Sequence, residues 1–147
     1  MLKLAGAAFT QGRSTYLDHH REAPEATAKI FVRLIMGDLT SAVVAQLDTG
    51  AAWSVLDPKV ANLLGLLETD GPLAILETRF GRKAGRLVKV PIRFLADDGI
   101  SFDTEGTFFV SPDWPSGRTF LGYSGLLVSI RFAVDPQANH FYFGPGA

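Results

Sequence analysis

An apolar run that stops at a carboxylate is the feature of this sequence best suited to chemistry. Residues 43–55 read Val43-Val44-Ala45-Gln46-Leu47-Asp48-Thr49-Gly50-Ala51-Ala52-Trp53-Ser54-Val55. A strand over the first five residues delivers Asp48 to a fixed place at its end, where a carboxylate can move protons. Gly50 permits a tight turn in which backbone N–H groups face that carboxylate. Thr49 is a compact hydroxyl suited to bonding a neighbouring chain, and Ser54 is placed to bond back and hold the loop. The plainer reading is a turn whose aspartate caps local N–H groups.

Other chemistries find less support. The chain has no cysteine, which removes disulfides, thiolate zinc sites and thiol nucleophiles. His19-His20 beside Asp18 and Glu22 lack a further ligand at useful spacing, so a solvated loop is expected and no metal. His140 reads as a surface strand residue. Ser54, Ser124 and Ser129 lack the glycine frame of a nucleophile elbow. Fourteen Lys+Arg against 15 Asp+Glu give a net charge of −1, which supplies no basic field for nucleic acid and no polybasic membrane anchor. The one basic cluster, Arg79, Arg82, Lys83 and Arg86, reads as the solvated face of a hairpin or, less simply, as a contact for substrate or a polyanion. No apolar stretch is long enough for a membrane span, and the N-terminus lacks a full signal sequence, so a cytoplasmic location is expected.

The elements that must position Asp48 are mostly strands. At 147 residues the chain is one domain with room for a real core. Residues 1–28 read as an N-terminal strand followed by a polar, mobile or removable segment. Residues 29–147 form the domain proper. Within it, 29–36 and 41–47 make a hairpin across 37–40. Pro58 with Asp57 as N-cap starts a short helix carrying Val60, Leu63, Leu64 and Leu67. Residues 73–80 and 85–95 form a long hairpin tipped by Gly81-Arg82-Lys83-Ala84. A strand over 100–110 is bent or interrupted near Gly106. Leu126, Leu127 and Ile130 mark a second short helix, and 133–135 pairs with 140–143 in a last hairpin. The pattern is all-β with two short helices, closed into an antiparallel barrel or sandwich.

The stretch around Asp48 resembles the active-site loop of aspartic proteases: two hydrophobic residues, then Asp-Thr-Gly-Ala. Phe120-Leu121-Gly122 resembles the second element of that family, a strand threading beside the catalytic loop. The glycine-tipped hairpin between them occupies the place of the flap over the substrate. Three elements in this order span most of the chain, and the resemblance is to the single-lobed, retropepsin-like branch, especially its small bacterial members. It implies a one-lobed acid-protease-like barrel with a flap hairpin. The catalytic residues would be Asp48, Thr49 and Gly50. Ala51, Ala52, Trp53, Arg79, Phe80 and Gly81 would contact substrate, with Ser54, Phe120, Leu121 and Gly122 supporting the site. Trp53 fits a side-chain pocket or plain packing equally well, and Trp114 between prolines reads as loop packing.

Two departures matter. Retroviral members usually carry Gly-Arg-Asp or Gly-Arg-Asn where this chain has Gly122-Tyr123-Ser124, and an Asp where it has Ala52. Both halves of their ion pair are missing together, which implies a different dimer contact. The tip Phe80-Gly81-Arg82-Lys83 also replaces a glycine-rich apolar one. Peptide hydrolysis without a covalent intermediate needs a base for water and an acid for the carbonyl oxygen and leaving amine, which two close carboxylates sharing a proton supply. The chain holds one Asp-Thr-Gly; Asp103-Thr104-Glu105 imitates it without the glycine. The expectation is an aspartic endopeptidase working as a homodimer on peptide or protein substrate, with no cofactor, nucleic acid or membrane partner. The alternative is a non-catalytic module of the same fold, used for dimerisation or peptide binding.

Overall fold

Alternation builds the first hairpin of the domain. In β4 (Ile30–Met36) Val32, Leu34 and Met36 are buried while Arg33 and Ile35 face outward, the period of two that a half-buried strand requires. β5 (Val43–Leu47) pairs with it antiparallel, Leu34 opposite Val43 and Ile30 opposite Leu47. The computed structural model describes residues 1–19, 29–68 and 70–146.

The N-terminus forms a small hairpin of β1 (Lys3–Leu4) and β2 (Ala7–Ala8), turned by Ala5 and Gly6, both at positive φ. β3 (Gly12–Thr15) follows, so the segment expected to be loop starts as a strand. It was hidden because Gly-Arg-Ser-Thr has no apolar pattern. Its order comes from neighbours on both sides, β13 (His140–Pro145) and β9 (Asp98–Gly99). The rest of that polar segment, from His20 to residue 28, lies outside the described residues.

After β5 come β6 (Ser54–Val55), α1 (Pro58–Leu63), β7 (Leu73–Thr78), β8 (Gly81–Phe94), β10 (Phe102–Val110), β11 (Phe120–Leu121) and β12 (Ile130–Asp135). The main sheet has the order β10-β6-β11-β5-β4-β8-β7, and β10 also pairs with β8. A second sheet has the order β12-β13-β3-β9. The all-antiparallel expectation fails at two places: β11 runs parallel to β5, and β6 runs parallel to β10. Both exceptions lie beside Asp48. β10 is continuous through Gly106, which sits opposite Val90, so no interruption occurs there.

The second expected helix shrinks to a 3-10 turn at Leu127–Ser129. Gly125 explains this. An added Cβ there would lie 2.5 Å from the Thr107 carbonyl oxygen, and the Thr107 N–H donates to the Gly125 carbonyl at 2.9 Å. The chain is bound to β10 in place of coiling, and Ile130 already starts β12.

Phenylalanines join the two sheets. Phe94 of β8 stacks on Phe143 of β13 at 5.5 Å, and Phe141 touches both. Phe94, Phe108, Phe141 and Phe143 are fully buried, and each such ring contributes about 1.5–3 kcal/mol by leaving water.

Candidate active site

β11 is threaded between the two strands that flank the Asp48 loop. The chain arrives along β5, turns through residues 48–53 and leaves along β6, and β11 is hydrogen-bonded to both. The Asp48 N–H donates to the Leu121 carbonyl at 3.0 Å, and the Gln46 N–H to the Thr119 carbonyl at 2.9 Å. The far side of the loop is clamped by Tyr123 and Ser124, whose N–H groups donate to the carbonyls of Ala51 and Ala52 at 2.7 and 2.8 Å. Ser54 is fully buried, and its Oγ accepts the Gly122 N–H at 2.9 Å. Gly122 passes so close to Trp53 that a Cβ would lie 2.3 Å from the Trp53 carbonyl carbon. Only glycine fits at that crossing.

Behind the loop, Asp57 fixes three things at once. One carboxylate oxygen caps α1 by accepting the Lys59 N–H, and the other accepts the Gly117 N–H. Its own N–H donates to Thr119 Oγ1 at 3.1 Å. The start of α1, the 111–118 loop and the entry to β11 are thereby held together.

The Asp48 carboxylate is half-buried, and its Oδ1 accepts the Gly50 N–H at 3.1 Å. Gly50 is not among the residues at positive φ, so backbone freedom is not its use here. A Cβ there would rest 3.4 Å from Asp48 Oδ1, an ordinary contact. Thr49 and Ala52 are exposed on the same loop. Asp103 is not a second carboxylate for Asp48. It is held by Arg93 through two bonds of 2.6 and 2.9 Å and lines another cavity with Pro91 and Ile92.

Opposite the loop stands the β7–β8 hairpin. Its turn is earlier and tighter than the sequence suggests: Thr78 pairs with Gly81, leaving Arg79 and Phe80 at the tip, and the expected tip residues 81–84 are already strand. Thr78 Oγ1 accepts the Phe80 N–H and donates to the Gly81 carbonyl, and Gly81 has φ +97. Between hairpin and loop lies a cavity of about 380 Å³. It brings together Gly50, Ala51, Ala52, Trp53, Arg79 and Phe80 from the expected set, along with Phe120 from the supporting set. Gly81 shapes the turn and is not on the wall. Leu76 and Trp114 were missed as wall residues. Trp114 is indeed loop packing, 5% exposed with its indole N–H on the Arg118 carbonyl, yet its ring forms one side of the cavity. Phe80 meets it edge-on at 5.4 Å, and Trp114 meets Phe120 at 5.9 Å. Nothing in the local sequence links residues 80, 114 and 120; only the fold does.

His19 Nδ1 lies 2.8 Å from Asp18 Oδ1, while His20 and Glu22 lie outside the described residues. Among the described residues no group of three or more His, Asp or Glu side chains could hold a metal. No helix there is long and apolar enough to cross a membrane.

A one-lobed β fold with Asp-Thr-Gly at the end of a strand, crossed by a second short strand, is the retropepsin-like arrangement. The chain has that fold. It is similar over its whole length to a retropepsin-like aspartic protease from Rickettsia conorii, with 18% identity, 100% of both chains covered and a TM-score of 0.53. It is also similar to the retroviral protease-like domain of Ddi1 from Leishmania major, with 18% identity, 81% of this chain and 94% of the other covered, and a TM-score of 0.52. No protein-family model matches the sequence. No curated protein matches it either.

Proposed function

We propose that this protein is an aspartic endopeptidase active as a homodimer, in which two Asp48 carboxylates, one from each subunit, activate a water. The observation that carries the reading is the threading of β11 between β5 and β6. That crossing holds a half-buried Asp48 at a strand end with its Oδ1 on the Gly50 N–H. A twofold axis beside Asp48 would bring the two loops together as an isologous contact, with each exposed Thr49 facing the other subunit. Two carboxylates at that distance share one proton, because both cannot ionise, and they titrate as a pair. One then takes a proton from water while the other protonates the peptide carbonyl oxygen, and the roles reverse as the amine leaves.

In this reading the strands around the core act as a one-lobed barrel, and the β7–β8 hairpin acts as its flap. The substrate lies extended between the flap and the Asp48 loop by strand addition. Asp48→Asn keeps an acceptor for the Gly50 N–H but removes the proton exchange. It is expected to lower cleavage of an unfolded substrate by at least about a hundredfold with unchanged thermal unfolding. Full activity in that variant would overturn the mechanism. A solution mass of monomer alone at a concentration where the protein is active would overturn the dimer.

A further inference from the structure

The cavity between the hairpin and the Asp48 loop is apolar inside and cationic at one edge. Its inner wall is made by Ala52, Trp53, Leu76, Trp114 and Phe120. At its edge the Phe80 ring carries two guanidinium groups, Arg79 Cζ at 5.0 Å and Arg118 Cζ at 5.2 Å from the ring centroid. Both arginines are exposed, and neither has a salt bridge among the described residues. The acid on the same wall, Glu77, lies 3.6 Å from Arg82. Two cations therefore contact one ring, and neither is paired with a carboxylate among the described residues. An incoming carboxylate would gain planar, two-pronged donors there.

The geometry points to a substrate of defined chemistry: an extended peptide whose large apolar side chain fills this cavity and whose neighbouring carboxylate is held by Arg79 and Arg118. The inference rests on the peptidase reading for the placement of the chain, but its test does not. Both tryptophans of the protein, Trp53 and Trp114, line the cavity, so intrinsic fluorescence reports its occupancy directly. The carboxylate can come from an Asp or Glu side chain or from the end of a chain, and the two sources are separable.

The test uses the Asp48→Asn protein and four octapeptides with a central Phe. Three are end-capped with Glu, Gln or Lys beside the Phe. The fourth is the Gln peptide with a free C-terminus close to the Phe. Fluorescence titration is expected to rank Glu above Gln above Lys, with about a tenfold step in affinity from Gln to Glu that shrinks as salt rises. Tight binding of the fourth peptide instead assigns the carboxylate to a chain end. In the Arg79→Gln, Arg118→Gln double variant the Glu-to-Gln ratio is expected to fall to about one. Arg131→Gln, which removes a cation stacked on Phe9 elsewhere, should leave the ratio as it was. Equal affinities for all four peptides, no binding, or a ratio unchanged in the double variant would overturn the inference. Peptides that bind in this order but are not cleaved by the native enzyme would instead overturn the peptidase reading and leave the recognition standing.

Discussion

At the scale of single residues, the Asp48 loop depends on two contacts that cannot be rebuilt by neighbours. Ser54→Ala leaves the buried Gly122 N–H without its acceptor, which costs about 1–3 kcal/mol. Gly122→Ala forces a methyl into the Trp53 carbonyl group, against backbone that cannot swing aside, and the cost is about 3 kcal/mol or more. Urea unfolding of both variants is expected to show losses in that order, Gly122→Ala the larger. An unchanged midpoint for Gly122→Ala would mean that β11 does not pass the loop as closely as described. That Ser54 would hold the loop was legible in the sequence; that its partner would be the distant Gly122 N–H was not. Nor was the role of Trp114 as a cavity wall. Its ring reaches Phe80 and Phe120 through the return of the chain, a relation between distant segments that no local spacing encodes.

At the scale of elements, local pattern reported truthfully wherever the partner strand was the next one along. The β4–β5, β7–β8 and β12–β13 pairings and the Asp57 cap belong to this group, although the helix stops at Leu63, short of Leu64 and Leu67, and the β7–β8 turn falls earlier than expected. It failed where a distant partner decided the outcome. β3 is polar and is ordered by β13 and β9; the segment at 123–130 has helical spacing and is bound to β10. The same distant pairing makes a pH prediction. Asp97 accepts the Thr15 N–H at 2.8 Å and Arg33 at 2.9 Å, tying the end of β3 to β4. Its carboxyl is held below the usual carboxylate range, first by the Thr15 bond and then, against the opposing effect of burial, by Arg33. A depressed folded value means that the stabilisation is present above about pH 4, where the unfolded group ionises. It is lost as pH falls through the lower folded value. Asp97→Asn is therefore expected to be less stable at pH 7 by a few tenths of a kcal/mol, since the side chain is 45% exposed. At pH 2 the difference from the native protein should vanish. A difference that grows on acidification would contradict the assignment.

At the scale of the whole molecule, the proposed activity belongs to an assembly. With one Asp-Thr-Gly per chain, dilution is expected to lower specific activity steeply once dimers dissociate, and initial rates should approach a second-order dependence on protein concentration. Strict proportionality down to picomolar protein, with only monomer present, would contradict it. In the proposed dimer the contact would lie near Tyr123, which is 49% exposed and donates its N–H to the Ala51 carbonyl in the Asp48 loop. Tyr123 stands where the retroviral pattern has the arginine of an ion pair whose aspartate is replaced here by Ala52. Tyr123→Ala is expected to raise the dimer dissociation constant by about tenfold, measured by sedimentation, because large aromatic side chains dominate such contacts.

β8 carries a mechanical consequence of its length. Its 14 residues have partners on both flanks at the Phe94 end, where β4 and β10 grip residues 92–94, but only β7 at residues 81–85. It is a cantilever, clamped on both flanks in the core and paired on one flank alone towards the tip. Gly85 marks the fulcrum, since any side chain there would strike the Val110 carbonyl oxygen at 2.4 Å. Amide hydrogen exchange should grade along this one strand, slow by orders of magnitude at Ile92 and Phe94 and fast at Arg82 and Lys83. In the proposed enzyme the cleft would then open and close at one end without loosening the strand that anchors it at the other.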